Sequence, residues 1–426
     1  MDDHGEARHF LEGKTIFVAG GGVAGSAFVA GLRKLWDPAL RPPTVVVYDR
    51  HPRDITLQRD AESYSLSVSG HSEAGGLVAL QKLGLVDDVF AHAVSGLDGS
   101  GCFKIWGPDW GERMRMRRKP LHGLPTASVR ISRKHLRRVL NDAVDAWDRS
   151  RMQWESQCVS VRRLDDTGRL RVQIRRGRGE EAESMEEDCD LLVAADGASS
   201  KMRAWLRPQD KLQYTGAVLR GGLSKFDGGV PRPPGQDWGF IMSNTGVSCF
   251  LSPVDKNTVV WAVGHLERDP VPELDRTSDK DVQAVIARGQ ELGSHFQEPF
   301  QTIASRTDPK TVMCINARDK PPFRHDDVAA MPVVFIGDSN HALSPFAGFG
   351  ANLALSDGWD LAEQLCRASS LAEAVAAYDE ISEPRARKIL KGSHKNLRAG
   401  HSTGWRYWVF SAMLWVGRWV GWVLGK

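Results

Sequence analysis

A short apolar run that breaks into three glycines constrains this chain more than any other feature. Residues 15–19 read TIFVA and lead into Gly20-x-Gly22-x-x-Gly25, and Val23–Leu35 then carries small and apolar residues at helical spacing. Strand, tight turn and helix in that order open a βαβ unit on a parallel sheet. Gly20 permits the turn, Gly22 lets the backbone approach a pyrophosphate, and Gly25 lets the helix pack closely on the strand. The helix start offers unpaired N–H groups and a positive dipole end to phosphate. A second buried strand, Thr44–Tyr48, ends at Asp49, 24 residues after Gly25. That is close to the ~20 expected of a ribose-binding acid. A carboxylate there accepts hydrogen bonds from ribose hydroxyls and repels a 2′-phosphate, so the site suits FAD or NAD and not NADP. The competing reading is a glycine turn beside a surface aspartate, which leaves the two flanking strands unexplained.

A chain of 426 residues exceeds one ordinary domain and implies two. With 41% hydrophobic and 26% charged residues, it has the balance of a folded globular protein. The net charge is only +3 and its basic residues are scattered, which argues against nucleic acid as a partner. Six cysteines without a C-x-x-C pair read as reduced thiols of an intracellular, cytoplasmic protein with no metal site. The opening MDDHGEARHF lacks the basic and apolar regions of a secretory signal.

Three later segments extend the pattern. Residues 131–140 read ISRKHLRRVL and place Arg133, Leu136 and Leu140 on one face of a helix near its start. On its own, Arg133 reads as a solvated cation. A buried strand at 191–195 ends at Asp196-Gly197, followed by Ser200 and Arg203. An acid and a glycine at a strand's C-terminal end sit where open α/β sheets bind ligands, although a turn with a helix cap would read the same. A third buried strand, Pro332–Ile336, ends at Gly337-Asp338. A turn rich in Gly and Pro follows over 344–350, and then a helix over 351–366.

In this order and spacing, the four motifs resemble those of the class A flavin-dependent aromatic monooxygenases, the family of para-hydroxybenzoate hydroxylase. They are Gly20-x-Gly22-x-x-Gly25 with Asp49, Arg133-x-x-Leu136, Asp196-Gly197-x-x-Ser200-x-x-Arg203 and the Gly337-Asp338 run. Pro345-Phe346-Ala347-Gly348 is most similar to the tetracycline-inactivating branch, and the resemblance spans about residues 14–390. It implies an α/β fold: a Rossmann-like FAD-binding domain of the glutathione-reductase type beside a mostly antiparallel β-sheet substrate domain. The implied FAD-binding domain is discontinuous (1–82, 125–206 and 328–404), with a substrate domain at 83–124 and 207–327. The resemblance assigns flavin contacts to Asp338, Pro345, Gly348, Gly350 and Ala351. It gives Arg133 the ribityl or phosphate region of FAD, and Asp196 and Arg203 a more indirect part. It implies NAD(P)H as a transient co-substrate and O2 as oxidant, with one oxygen passed from a flavin C4a-hydroperoxide to a small, electron-rich substrate of aromatic or polyketide/terpenoid-like kind. Hydroxylation, epoxidation, Baeyer–Villiger insertion and oxidative cyclisation share that chemistry. No catalytic side chain is identified. Ser339-Asn340 and Phe349 depart from the family's usual wording, and Phe349 is expected to reshape the cavity by the flavin. His341 and His71 read as a packed and a surface-loop histidine.

Residues 218–223, 239–251 and 258–266 alternate as strands of the sheet that floors the substrate cavity. Residues 161–188 read as a hairpin with an exposed turn, and Tyr378–Arg387 as the family's closing helix region. The tail at 405–426 is an apolar helix with tryptophans at 405, 408, 415, 419 and 422. Three readings of 405–424 compete: a helix docked on protein, one lying in a membrane interface, and one spanning the bilayer. Arg418 argues against the last. An interfacial tail would suit a lipophilic substrate. The rival to an enzyme is a non-catalytic, membrane-associated flavoprotein that docks partners through the tail.

Overall fold

The structure, a computed structural model, describes residues 9–53, 64–116, 118–177, 179 and 182–423, with backbone alone for 417–423. Four short apolar runs and the polar edge strand SRMQ pair as a parallel sheet in the order β18-β12-β1-β2-β8. These are β1 (Thr15–Ala19), β2 (Thr44–Tyr48), β8 (Ser150–Gln153), β12 (Leu191–Ala194) and β18 (Val333–Phe335). Alternation along β1 sends successive side chains to opposite faces. Ile16 and Val18 pack with Phe28 and Leu32 of α1 (Val23–Leu35) and Leu361 and Leu365 of α9 (Gly350–Arg367). Phe17 and Ala19 pack instead with Val161, Val172 and Ile174. Both faces are thus covered, as parallel strands require.

The second face is covered by β9 (Ser156–Arg163), β10 (Leu170–Arg176) and β11 (Glu183–Cys189), an antiparallel sheet of three strands. The expected single hairpin over 161–188 is therefore incomplete. Leu170, Val172 and Ile174 are fully buried, and β10 pairs on both sides. A third small sheet, β3-β7-β4, combines β3 (Ser65–Ser69), β4 (Ala93–Ser95) and β7 (Ser128–Ser132). Behind it lie α2 (Gly76–Leu83), α3 (Val86–Phe90) and α4 (Arg133–Asp145), with Leu136 and Leu140 buried as their spacing implies.

The large sheet has seven strands in the order β17-β13-β16-β15-β14-β5-β6. They are β5 (Phe103–Trp106), β6 (Glu112–Arg115), β13 (Gln213–Lys225), β14 (Trp238–Met242), β15 (Val247–Pro253), β16 (Thr258–Leu266) and β17 (Met313–Asp319). Every pair is antiparallel except β14 with β5. The mostly antiparallel character matches expectation, but residues 239–251 form two strands joined at Gly246, which has a φ of +80°. Trp261 packs edge-on to Phe300 on the face covered by α6 (Asp279–Leu292) and α7 (Phe300–Ser305). Val260 and Ala262 face the opposite way, into a cavity.

The remaining helices are α5 (Lys201–Leu206), the single turn α8 (Asp338–His341), α10 (Leu371–Gly400) and α11 (Gly404–Val423). The expected closing region at 378–387 lies inside α10, which carries Pro384 within its length. Tyr407 of α11 is buried, and α11 packs against β6. Trp405, Trp408 and Trp415 are 71%, 64% and 65% exposed. Among the described residues no helix is long and apolar enough to cross a membrane, so the spanning reading of the tail gains no support. Leu424 and the side chains of Trp419 and Trp422 lie outside the described residues.

Candidate functional site

A cavity of about 1300 Å³ opens between the parallel sheet and the seven-stranded sheet. That exceeds the ~300–1,000 Å³ of an ordinary small-molecule pocket, leaving room for part of a large cofactor and a second molecule. Of the residues expected from sequence, Gly22, Arg133, Asp338, Pro345, Gly348, Gly350 and Ala351 line it. Gly20, Gly25, Asp49 and Asp196 are not on its wall.

The glycine turn has the geometry its spacing demands. A Cβ on Gly20, whose φ is +108°, would meet the Ala195 carbonyl oxygen at 2.4 Å. One on Gly25 would meet the Gly20 carbonyl oxygen at 2.1 Å. Gly22 has nothing within 4 Å of that position, so its backbone is open to the cavity. Gly22 caps α1 without a side-chain hydrogen bond, and Phe349 does the same for α9. Two helix starts with unfilled N–H groups therefore face one cavity, a fit for the phosphates and the electron-rich edge of a flavin dinucleotide. Phe349 is itself on the wall, as its departure from the family wording suggested.

Asp49 is buried, and sequence reasoning missed what holds it. Its Oδ2 accepts from Arg137 Nη2 at 3.0 Å, and its Oδ1 from the His51 N–H at 2.8 Å. Arg137 also donates to the Gly21 carbonyl at 3.3 Å, tying the acid to the glycine turn. Asp196 turns inward: its Oδ2 accepts from the N–H groups of Lys201 and Met202 at 2.7 and 3.2 Å, capping α5. Burial raises its carboxyl above the ordinary range. Its neighbours Ala195 and Gly197 are the residues on the cavity wall. Arg203 straps that turn to α8, donating to Ser339 O at 2.8 Å and Asp338 O at 3.4 Å, and also bonding Ala198 O.

Asp338 is half-buried on the wall, and burial raises its carboxyl against the pull of His341. The turn before it is fixed by a residue the sequence did not flag. Asp357, inside α9, accepts from Gly337 N at 2.8 Å, His341 Nε2 at 2.6 Å, Ser382 Oγ at 3.0 Å and Arg385 Nη2 at 2.8 Å. Burial would raise Asp357, but His341, Arg385 and the Gly337 N–H outweigh it and hold the carboxyl well below the usual range. Burial would likewise lower His341, yet Asp357 raises it. His341 is thus packed and paired, as expected. His71 is not the surface-loop residue expected. It is half-buried on the cavity wall and bonds Ser69 Oγ at 2.8 Å, because the chain after β3 folds over the cavity. Asn352, also missed, accepts from Ser69 N and Gly76 N at 2.8 Å each and donates to Ser67 O at 2.9 Å. It locks the start of α9 to β3 and α2. The opposite wall is apolar, with Leu219, Trp238, Phe240, Phe250, Val260 and Ile315 from the seven-stranded sheet.

Comparison with known proteins gives the family and the fold. The FAD binding domain family matches residues 44–393, a span that starts after the glycine turn. The monooxygenase cfoF of Aspergillus candidus is 42% identical over 397 residues, covering 93% of each chain. HpxO of Klebsiella pneumoniae, solved with FAD and uric acid, superposes with a TM-score of 0.72 at 20% identity, over 96% of this chain and 94% of that one. The tetracycline destructase Tet(55) gives a TM-score of 0.65 at 15% identity, over 95% and 96%. At such identities these two structures speak to the fold alone.

Two outcomes follow from the wall around α8. Asp338→Ala should lower FAD affinity by at least ~10-fold, since a bond to a charged acceptor contributes about 1.5–3 kcal/mol. Flavin absorbance of the purified variant checks this, with circular dichroism confirming the fold; full flavin occupancy would sink the assignment. The His341–Asp357 pair makes stability pH-dependent. His341 has a raised folded pKa, so its contribution is complete below its unfolded value and fades as pH climbs through the folded one. Asp357 contributes above its unfolded value and loses that contribution only as pH falls through its depressed folded one. Denaturant midpoints should therefore fall as pH rises from ~6.5. Asp357→Asn should remove that slope and cost about 3 kcal/mol.

Proposed function

We infer the reaction from one premise: the chain belongs to the FAD binding domain family, as a class A flavin monooxygenase, and is an FAD-dependent monooxygenase. On that footing the protein uses NAD(P)H and O2 to place one oxygen in a small, electron-rich substrate of aromatic or polyketide/terpenoid-like kind. The observation that carries this reading is one cavity bounded by two unlike walls. One wall is formed by the flavin motifs and two helix starts, the other by aromatic and aliphatic side chains of the seven-stranded sheet.

When bound, FAD supplies the redox chemistry, taking reducing equivalents from the nicotinamide and activating O2. The residues here do the rest. Gly22 and the start of α1 receive the phosphates, with Asp49 held by Arg137 for the ribose. Arg133 and Asp338, both on the cavity wall, would hold the middle of the cofactor. Gly350 and Ala351, at the positive end of α9, would favour negative charge on a flavin ring held against them. Trp238, Phe240 and Phe250 orient a flat substrate and keep water from the site. The match to enzymes leaves the non-catalytic reading without support. HpxO, whose fold this chain shares, was solved with uric acid, a small planar molecule.

Purified protein should show oxidised-flavin absorbance and should consume NADH or NADPH faster when a phenol or polyketide substrate is added, with an oxygenated product. Bound flavin with no stimulation by any member of a broad panel would overturn the substrate class. A protein that takes up no FAD would overturn the premise.

A second reading concerns the tail, and a specific observation favours it. The outer side of α11 presents Trp405, Trp408, Val409, Met413, Trp415 and Val416, each at least half exposed. The strand it packs on, β6, carries exposed Arg113 and Arg115 and continues to exposed Arg118 and Lys119. Tryptophan beside arginine suits an anionic lipid surface, and Met116 and Arg118 also line the cavity. We propose that α11 rests on such a surface and sets the cavity mouth against it, suiting a lipophilic substrate. Full-length protein should co-sediment with phosphatidylcholine/phosphatidylserine vesicles, and Trp405→Ala with Trp408→Ala and Trp415→Ala should release it. Protein that stays in the supernatant with such vesicles would end this reading.

A further inference from the structure

Arg130 of β7 is the most conspicuous charge that the flavin motifs leave unused. It is 3% exposed, yet it lines the cavity. Its Nη2 donates to Ser65 O at 2.5 Å and to Ser65 Oγ at 2.8 Å. Its Nε is buried without a partner. Among the described residues no carboxylate pairs with it and no hydrogen bond reaches its Nη1. Burial alone pushes its pKa down, to about 9. A guanidinium holds on to its proton in proteins, so the same penalty becomes a demand for an anion.

The surroundings define which anion. The guanidinium carbon lies 5.6 Å from the centroid of Phe250, which packs on Phe240 at 5.1 Å, and Phe240 meets Phe103 at 6.1 Å. All three rings line the cavity, so the cation sits at the end of an aromatic slot. Ser65 Oγ is also 2.9 Å from Ser252 Oγ on β15, which fixes the slot's far edge. A carboxylate is gripped best by two parallel N–H donors, and each such fork of a guanidinium includes Nη2. Here Nη2 is already committed to Ser65, which leaves single donors for a single oxygen.

We propose that Arg130 is a substrate-binding residue that holds one anionic oxygen, a phenolate or enolate, on a flat aromatic substrate lying against Phe240 and Phe250. This rests on the monooxygenase reading and narrows its substrate class. The hydroxyl proton goes to solvent as the oxygen meets the guanidinium, and no bond to carbon changes at Arg130. Holding the ring in its ionised form makes it more electron-rich, which favours attack by an electrophilic oxygen. Other ionisable groups lining the cavity are Tyr64, His71, Asp98, Cys102, Arg118, Arg133 and Asp338, of which Asp98 is exposed. Arg118 is exposed and Arg133 belongs to the flavin motifs.

The test uses the FAD-loaded protein and 4-nitrophenol, whose colour reports its own ionisation. Bound 4-nitrophenol should ionise at least about one pH unit lower than in water, the equivalent of ~10-fold in affinity. It should bind at least ~10-fold more tightly than 4-nitroanisole, which has no acidic oxygen. Arg130→Gln should abolish both effects while flavin occupancy stays at the wild-type level. Arg130→Lys should keep part of the ionisation shift, and Arg118→Gln all of it. Flavin-loaded Arg130→Gln with an unchanged shift would overturn the proposal, as would wild-type holoprotein that ignores 4-nitrophenol or prefers 4-nitrobenzoate. Failure of the wild type to hold FAD would strike the monooxygenase reading instead, so the two failures are distinguishable.

Discussion

Asp357 is the interaction on which the cofactor wall depends. A carboxylate this deeply buried would be costly alone. It is sustained by a backbone N–H, a hydroxyl, an imidazole and a guanidinium drawn from the Gly337 turn, α8 and α10. Gly337 needs that support, since its φ of +61° and ψ of −141° lie where only glycine is at ease. The bond from Gly337 N is therefore what presents Asp338 to the cavity. Arg385 extends the same network to Asp360 at 2.5 Å, so α9 and α10 are locked around one set of charges.

The parts of this architecture that were legible in the sequence are those written in short-range pattern. Thr15–Ala19, Gly20 to Gly25 and Thr44–Tyr48 specify a strand, a turn and a strand through periodicity and the space a Cβ would need, and the structure repeats them at the same residues. The residues that hold the site are different in kind. Arg137 meets Asp49 across 88 positions, and Asn352 reaches Ser69 across 283. No local spacing records such pairs, because they arise only when two separate segments pack. His71 was misjudged for the same reason: nothing in its own loop shows that the loop folds over a cavity. The split of 239–251 into two strands turned on Gly246, one of two glycines in a stretch whose alternation looked continuous.

Charge is distributed unevenly between the two walls, and this follows from the fold. Polar groups reach the cavity at strand ends and helix starts, where backbone N–H groups are left over by geometry. The seven-stranded sheet instead presents alternate side chains from strand interiors, where apolar residues pack best. Arg130 breaks that rule, since it projects from the middle of β7 and is covered by β3 and β15. A buried cation retained among aromatic rings without a carboxylate partner is costly unless something else completes it.

The two walls are also mechanically joined. Asn352 ties the first turn of α9 to Ser67 and Ser69 of β3. The same strand carries Ser65, which holds Arg130 on one side and meets Ser252 of the large sheet on the other. The backbone of β3 therefore links the start of α9 at one end to Arg130 and the large sheet at the other. Oxygen transfer requires reacting atoms to approach within ~3–3.5 Å in a defined orientation. A five-residue strand held at both ends by buried side chains is a firmer spacer than a loop, and here it is built from a serine-rich sequence, SLSVS.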